Sequence, residues 1–285
     1  MLNIQNLKKE YPGFSLSIDQ FHLEPNSITG IVGLNGAGKS TLFKAICGLI
    51  QINSGTIELF GQTFDELSKE QKENLGVLFN HATFSRYLNI AHCKKVLKAA
   101  YSHFDEALFD QLCKQLNLPY DKPLSSFSTG MEVRFKLATA LTHEAKLLIL
   151  DEPTAGLDII ARNKTYECLQ DFMEKPDRSI LISSHIASDL ENLCDDFWVI
   201  HNGQFILHET VDALKNQYGI LSVDAKTLDT LDPVAIVGID RQPHGIKVLV
   251  SDRQFYEENY PGIVVSAGNI DDLLTILEQG GNTNL

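Results

Sequence analysis

No window of about 18 consecutive apolar residues occurs in the 285-residue chain, so none of its segments can cross a bilayer as a helix. Cations are few and dispersed: 24 Lys and Arg stand against 37 Asp and Glu, the net charge is −13, and there is no basic block. This argues against a nucleic-acid partner and against electrostatic docking on anionic lipid, since both need clustered Lys and Arg. The first ten residues mix charged and apolar types and lack the apolar core of a signal peptide, so the chain is expected to be cytoplasmic. The five cysteines (Cys47, Cys93, Cys113, Cys168, Cys194) are odd in number, scattered and free of C-x-x-C spacing. That pattern suits reduced thiols in a packed interior and not zinc sites or a disulfide framework. Internal repeats and low-complexity tracts are missing as well.

What the chain does have is enough apolar content, 44%, to bury a sizeable core as one large domain with a small appendage. Its organising stretch is residues 30–41, Gly-Ile-Val-Gly-Leu-Asn-Gly-Ala-Gly-Lys-Ser-Thr, which fits G-x-x-x-x-G-K-[ST]. An apolar strand over 28–32 precedes it, and Leu42, Phe43, Ile46 and Cys47 follow at helical spacing. Gly33, Gly36 and Gly38 permit positive φ and close approach, so successive N–H groups can turn toward phosphate oxygens. The helix N-terminus adds partial positive charge. Lys39 is expected to reach the β- and γ-phosphates, Ser40 to sit on Mg²⁺ and Thr41 to support the neighbouring phosphate.

A second signal is the run Leu147-Leu148-Ile149-Leu150, which ends abruptly in Asp151-Glu152. A continuous apolar run reads as a strand buried on both faces of a parallel sheet, and ligands of open α/β sheets bind at strand C-terminal ends. Asp151 is expected to hold Mg²⁺ through water and Glu152 to act as general base toward an attacking water. The run 179–185 repeats the layout and ends in His185, a lone strand-end histidine. Residues 125–141 read as a loop entering a helix, with Ser128 as N-cap and Gly130 beside it; this is either a capped helix or a second phosphate-facing helix terminus. Tyr11 lies on a loop next to Pro12-Gly13.

Strands are expected over 2–7, 14–18, 21–23, 56–60 and 76–80, helical spacing over 90–118, a hairpin at 197–207 around Asn202-Gly203, and a short helix over 211–217. The helical stretch suits a lid, a partner-docking surface or plain core. Past Tyr218-Gly219 the pattern restarts, with strands over 220–223, 234–239, 246–250 and 263–265 and helices over 253–258 and 270–278, the last capped by Asn269.

Taken in order, these motifs make residues 1–219 resemble the nucleotide-binding subunit of ATP-binding-cassette (ABC) transporters. The phosphate loop falls at 33–41, the Walker B strand at 147–151 with Glu152 next, the D-loop at Gly156-Leu157-Asp158, the switch histidine at His185 and the adenine-stacking aromatic at Tyr11. Phe127-Ser128-Thr129-Gly130-Met131 stands at the signature motif, usually L-S-G-G-Q; Ser128 and Gly130 are kept while Phe127, Thr129 and Met131 depart. Asn80, after Val77-Leu78-Phe79, stands where the family has glutamine.

The resemblance implies an α/β fold: a P-loop NTPase core of mostly parallel sheet, an antiparallel β subdomain and an α-helical subdomain over about 81–142; the pattern over 220–285 reads beside it as a small α+β extension, a packing or dimerisation module. It implies an ATPase using ATP and Mg²⁺, with Asp151, Glu152 and His185 catalytic, Ser40, Asn80 and Asp151 around the metal, and Tyr11, Asn35, Gly36, Gly38, Lys39, Ser40, Thr41, Ser128, Gly130 and Asp158 around the nucleotide. Two copies would face head to tail, each ATP lying between Gly36, Lys39 and Ser40 of one chain and Ser128 and Gly130 of the other. The implied further partner is a separately encoded transmembrane permease, which would place the chain on the inner face of the cell membrane. The short extension and the F-S-x-G-M variant are similar to exporters of drugs, lantibiotics or amphipathic peptides. The alternative is a soluble cassette ATPase without a permease, in a scaffold or cofactor-assembly role.

Overall fold

The computed structural model describes residues 1–79, 84–243 and 245–279. In chain order its elements are β1 (Leu2–Tyr11), β2 (Phe14–Leu23), β3 (Ile28–Val32), α1 (Lys39–Ile46), β4 (Ser54–Leu59), β5 (Gln62–Thr63), α2 (Lys69–Lys72), β6 (Leu75–Leu78), α3 (Ile90–Ala100), α4 (Glu106–Gln115), α5 (Thr129–Ala140), β7 (Leu147–Asp151), α6 (Ile159–Met173) and β8 (Ser179–Ser184). They continue with α7 (Ala187–Leu193), β9 (Asp196–His201), β10 (Gln204–Thr210), α8 (Val211–Asn216), β11 (Gly219–Val223), α9 (Ala225–Leu228), β12 (Ile236–Gln242), β13 (Gly245–Val250), α10 (Arg253–Asn259), β14 (Val264–Ala267) and α11 (Ile270–Gln279). No helix among the described residues is long and apolar enough to cross a membrane.

The central sheet has the order β10-β9-β3-β8-β7-β6, parallel throughout except for the β9–β10 hairpin at its edge. Its inner strands are buried on both faces, which is why their sequences are unbroken apolar runs. Alternation then sorts their side chains by face: Leu148, Leu150, Ile180 and Ile182 enter one core with the helices α3 to α7, while Leu147, Ile149 and Leu181 enter a second core with α1 and the antiparallel sheet β2-β1-β4-β5. Register is what builds the site: Val32 lies beside Ser184, and Asp151 beside Ser183. The phosphate loop, Glu152 and His185 therefore all leave the sheet at one edge.

Several elements differ from the sequence expectation for local reasons. β2 is one ten-residue strand across both expected segments, because it pairs with β1 on both sides of Asp19. The helical stretch over 90–118 is two helices, with Asn89 and Asp105 capping α3 and α4 through the amides of His92 and Leu108. α6 carries a stripe that hydrophobicity alone hides, because its buried side includes Ala161 and Thr165 while Ile159 and Ile160 are exposed. All five cysteines are free and buried; burial pushes the thiols of Cys47, Cys113 and Cys168 up to about 12, which keeps them protonated and inert.

Beyond β10 a third sheet, β12-β13-β11-β14, is wholly antiparallel. α11 packs on β12 and β13 and also against α7, and Ile270, Leu273 and Ile276 share a core with Leu190 and Leu193. Asn269 caps α11 by accepting from the Asp272 amide at 2.8 Å.

Candidate functional site

A cleft of about 400 Å³ opens at the C-terminal edge of the central sheet. Asn35, Gly36 and Gly38 line it from the loop after β3, Lys39, Ser40 and Thr41 from the first turn of α1, Glu152 and Ala155 from the turn after β7, and His185 from the turn after β8. Phe14 closes one wall from β2.

The loop's glycines answer to different constraints. Gly36 and Gly38 take φ of +87° and +118°, in the region where a Cβ is strained. An added Cβ at Gly33 would instead meet the Ile200 carbonyl oxygen at 2.2 Å. No side chain caps α1, and its ladder starts with Leu42 N donating to Gly38 O at 2.9 Å. The amides of Ser40 and Thr41 thus precede the first intrahelical bond, where a helix offers donors to an anion.

Lys39 is buried, and its ammonium donates to the carbonyls of Gly33 at 2.6 Å and Leu34 at 3.2 Å. On its other side it stands 3.9 Å from Glu152 Oε1. Glu152 has φ of +55°, a left-handed conformation uncommon outside glycine, and its amide is held by both the carbonyl and the hydroxyl of Ser183. This turn sends the carboxylate sideways, where Oε2 accepts from the His185 amide at 3.2 Å and bonds the His185 ring at Nδ1. Asp151 is 4% exposed and sits one residue behind, its Oδ1 accepting from Ser183 Oγ at 2.8 Å. Among the described residues no group of three or more His, Cys, Asp and Glu could hold a metal by itself. Ser40 and Asp151 are the described members of the expected metal set; Asn80 lies outside the described residues.

The remaining expected residues stand apart from this cleft. Tyr11 is not in its lining; it is the last residue of β1 and not a loop residue, because it pairs with Phe14 across the Pro12-Gly13 turn, and it is 42% exposed with the Lys9 ammonium 4.9 Å from its ring centroid. Ser128 caps α5 by accepting from the Met131 amide at 3.3 Å. Gly130 packs on the 156–157 turn, where an added Cβ would come within 3.2 Å of the Gly156 carbonyl oxygen. Asp158 caps α6 through the Ala161 amide at 2.8 Å. Ser128, Gly130 and Asp158 therefore form a second patch, flanked by Ile159 and Ile160, which are 75% and 71% exposed. Sequence reasoning missed Phe14, Ala155 and Ser183; the doubled serine before His185 was the available signal for the last.

A phosphate loop leaving β3, with Asp151-Glu152 closing β7 two strands away at the same sheet edge, defines a P-loop NTPase. The sequence model of the ABC transporter family matches residues 16–155. The bacitracin transport ATP-binding protein BcrA of Bacillus licheniformis is 34% identical over 224 residues, covering 76% of this chain and 72% of the relative. The lantibiotic transport ATP-binding protein SrtF of Streptococcus pyogenes is 34% identical over 218 residues, covering 76% and 93%. A solved ATP-binding subunit of an ABC transporter superposes with a TM-score of 0.68 at 27% identity, covering 75% of this chain and 92% of that one. The chain belongs to the ABC transporter family, as one of its ATPase subunits.

Proposed function

We propose that this chain powers a separately encoded membrane permease, exporting drugs or amphipathic peptides through ATP-driven, head-to-tail pairing of two copies. The observation that carries the reading is the position of Glu152, whose carboxylate lies between the Lys39 ammonium and the His185 ring on the wall of the phosphate-loop cleft. In this reading Lys39 and the first-turn amides of α1 hold the β- and γ-phosphates, Glu152 takes the proton of the attacking water, and His185 orients Glu152 and the γ-phosphate. Mg²⁺ fits the donor set, because this ion binds through one or two carboxylates together with substrate phosphates and waters. Ser40 and Asp151 would hold it, with Asn80 as the expected third contact, and it would neutralise charge on the phosphates.

Pairing of two copies is supported by the location of Ser128 and Gly130, which lie outside the cleft of their own chain beside exposed Ile159 and Ile160. Brought against a second copy's cleft, that patch supplies donors to the γ-phosphate and excludes water. Residues 1–219 act in this reading as the nucleotide-binding unit, the helical segment over about 81–142 meets the permease at the inner membrane face, and residues 220–285 assist pairing. Drugs or amphipathic peptides as cargo are supported by the bacitracin and lantibiotic transport for which the two relatives are named.

The test is the Glu152→Gln variant, which keeps the side-chain shape while removing the base. Turnover is expected to fall about 100- to 10,000-fold with ATP still bound, and light scattering should show a dimer with Mg-ATP and a monomer without it. A variant that stays monomeric with Mg-ATP, or that hydrolyses it at the wild-type rate, refutes the reading.

A further inference from the structure

A buried polar cluster behind the cleft joins the segments that carry the site. Asp189, in the first turn of α7, has no exposed surface. Its Oδ2 accepts from the Thr154 hydroxyl and from Ser184 Oγ, the latter at 3.0 Å. Its Oδ1 accepts from the Tyr166 hydroxyl and stands 3.6 Å from Arg162 Nε. Burial, and next the bond to Asp189, raise the Tyr166 hydroxyl well above its ordinary range, which keeps it a donor.

The origin of these partners matters more than their number. Thr154 lies two residues past Glu152, and Ser184 immediately precedes His185. Arg162 and Tyr166 are on α6, whose N-cap is Asp158. Ser184 Oγ also accepts from the Ile186 amide at 3.0 Å, so the bend that turns His185 toward Glu152 hangs on the same hydroxyl that Asp189 holds. A carboxylate removed from water is costly unless its lone pairs are used, and an apolar residue at this position would fill the space without that cost. The cluster therefore does something packing does not require: it fixes two turns and helix α6 to one carboxylate.

We infer that Asp189 is a positioning residue for hydrolysis, locking the Glu152 turn, the His185 turn and the start of α6 in one relative geometry. This rests on the reading that Glu152 and His185 flank the γ-phosphate. Asp189 itself touches no residue of the phosphate loop in the hydrogen bonds and ion pairs described, so its effect should fall on turnover and not on nucleotide binding.

The experiment measures kcat, KM and the Kd for ATP on the full chain for Asp189→Asn, Tyr166→Phe, His185→Ala, Glu152→Gln and the Asp189→Asn/His185→Ala pair. Asp189→Asn is expected to lower kcat about 10- to 100-fold, the scale of a small misplacement of a reacting group, with Kd within about threefold of wild type. Added to His185→Ala it should cost less than about threefold more, because both changes act on the same turn. Tyr166→Phe keeps the ring packing and should lower kcat about 3- to 10-fold, which decides the matter if Asp189→Asn does not fold. Folded Asp189→Asn or Tyr166→Phe with wild-type kcat overturns the inference, as does a loss that multiplies fully with His185→Ala or appears equally in Kd. Wild-type turnover in Glu152→Gln overturns the reading of the cleft itself, and with it the inference; normal behaviour of Asp189→Asn beside an inactive Glu152→Gln overturns the inference alone.

Discussion

Alanine at Gly33 and at Gly36 should damage the phosphate loop by different routes and to different degrees. At Gly33 the added methyl meets the Ile200 carbonyl oxygen at 2.2 Å and Ile200 Cγ2 at 3.0 Å. A carbon–oxygen contact normally settles at about 3.3–3.6 Å, so the two backbones must part by roughly 1 Å. Neither yields easily: Ile200 lies on β9, paired to β3 through Val199 and Val32, and Gly33 O accepts the Lys39 ammonium at 2.6 Å. Overpacking of this kind costs about 1–3 kcal/mol, and a shift of about 1 Å in a group that places phosphate costs about 100-fold in function. At Gly36 a methyl meets nothing within 4 Å, and the cost is the strain of φ at +87°, roughly 1–2 kcal/mol. Gly33→Ala is therefore expected to lose about 100-fold in affinity for a slowly hydrolysed ATP analogue and to melt earlier, while Gly36→Ala loses roughly a tenth as much affinity. Calorimetric titration and circular-dichroism melting measure both. A folded Gly33→Ala binding within threefold of wild type, or a Gly36→Ala that binds more weakly than Gly33→Ala, would refute the reasoning.

Tyr11→Ala is expected to weaken ATP binding by about 1–3 kcal/mol while Tyr11→Phe binds normally, as stacking on a base requires; unchanged affinity in the alanine variant would move that role to Phe14. Burial holds the His143 imidazole below its ordinary range, with Nε2 2.9 Å from the Leu75 carbonyl oxygen and the ring stacked on Tyr101 at 4.1 Å. The unfolded chain therefore takes up that proton first, so this contribution to stability is complete above about pH 6.5 and is lost as pH falls through that value toward the folded-state pKa. Denaturant titrations between pH 7 and 5 should show a shallower decline for His143→Gln than for wild type, and equal declines would clear this imidazole of the effect.

The phosphate loop was legible because its constraint is local: glycines, a lysine and a hydroxyl at fixed offsets specify their own turn. The strand ending at Asp151 was legible because burial on both faces demands an unbroken apolar run. Placement of side chains around those elements was not, since it depends on register. Tyr11 and Phe14 face each other across one turn, and only the pairing of β1 with β2 decides which ring reaches the cleft wall. Asp189 was opaque for a stronger reason: its donors Thr154, Tyr166 and Ser184 and its ion-pair partner Arg162 are spread over three segments that meet only after β7 and β8 pair and α6 packs beside them.

The C-terminal segment shows the limit of periodicity most plainly. Apolar spacing restarts after Tyr218, and Asn269 marks the start of the last helix, but a periodic face does not name what it meets. The face of α11 meets two things at once, its own sheet and α7. Glu191 accepts from the Ile270 amide at 2.7 Å through its carboxylate, and its carbonyl accepts from the Lys215 ammonium at 2.7 Å. Two residues earlier on the same short helix, Asp189 faces the opposite way into the polar cluster. α7 is thus pinned from both sides, by apolar contacts and the Ile270 amide of the extension together with Lys215 of α8, and by a buried carboxylate toward the cleft. Its seven residues have little propensity to hold a helix alone, so tertiary contacts on both faces are what fix its position. The extension has a sheet of its own, yet by packing on α7 it is also part of the scaffold that holds the turn bearing His185.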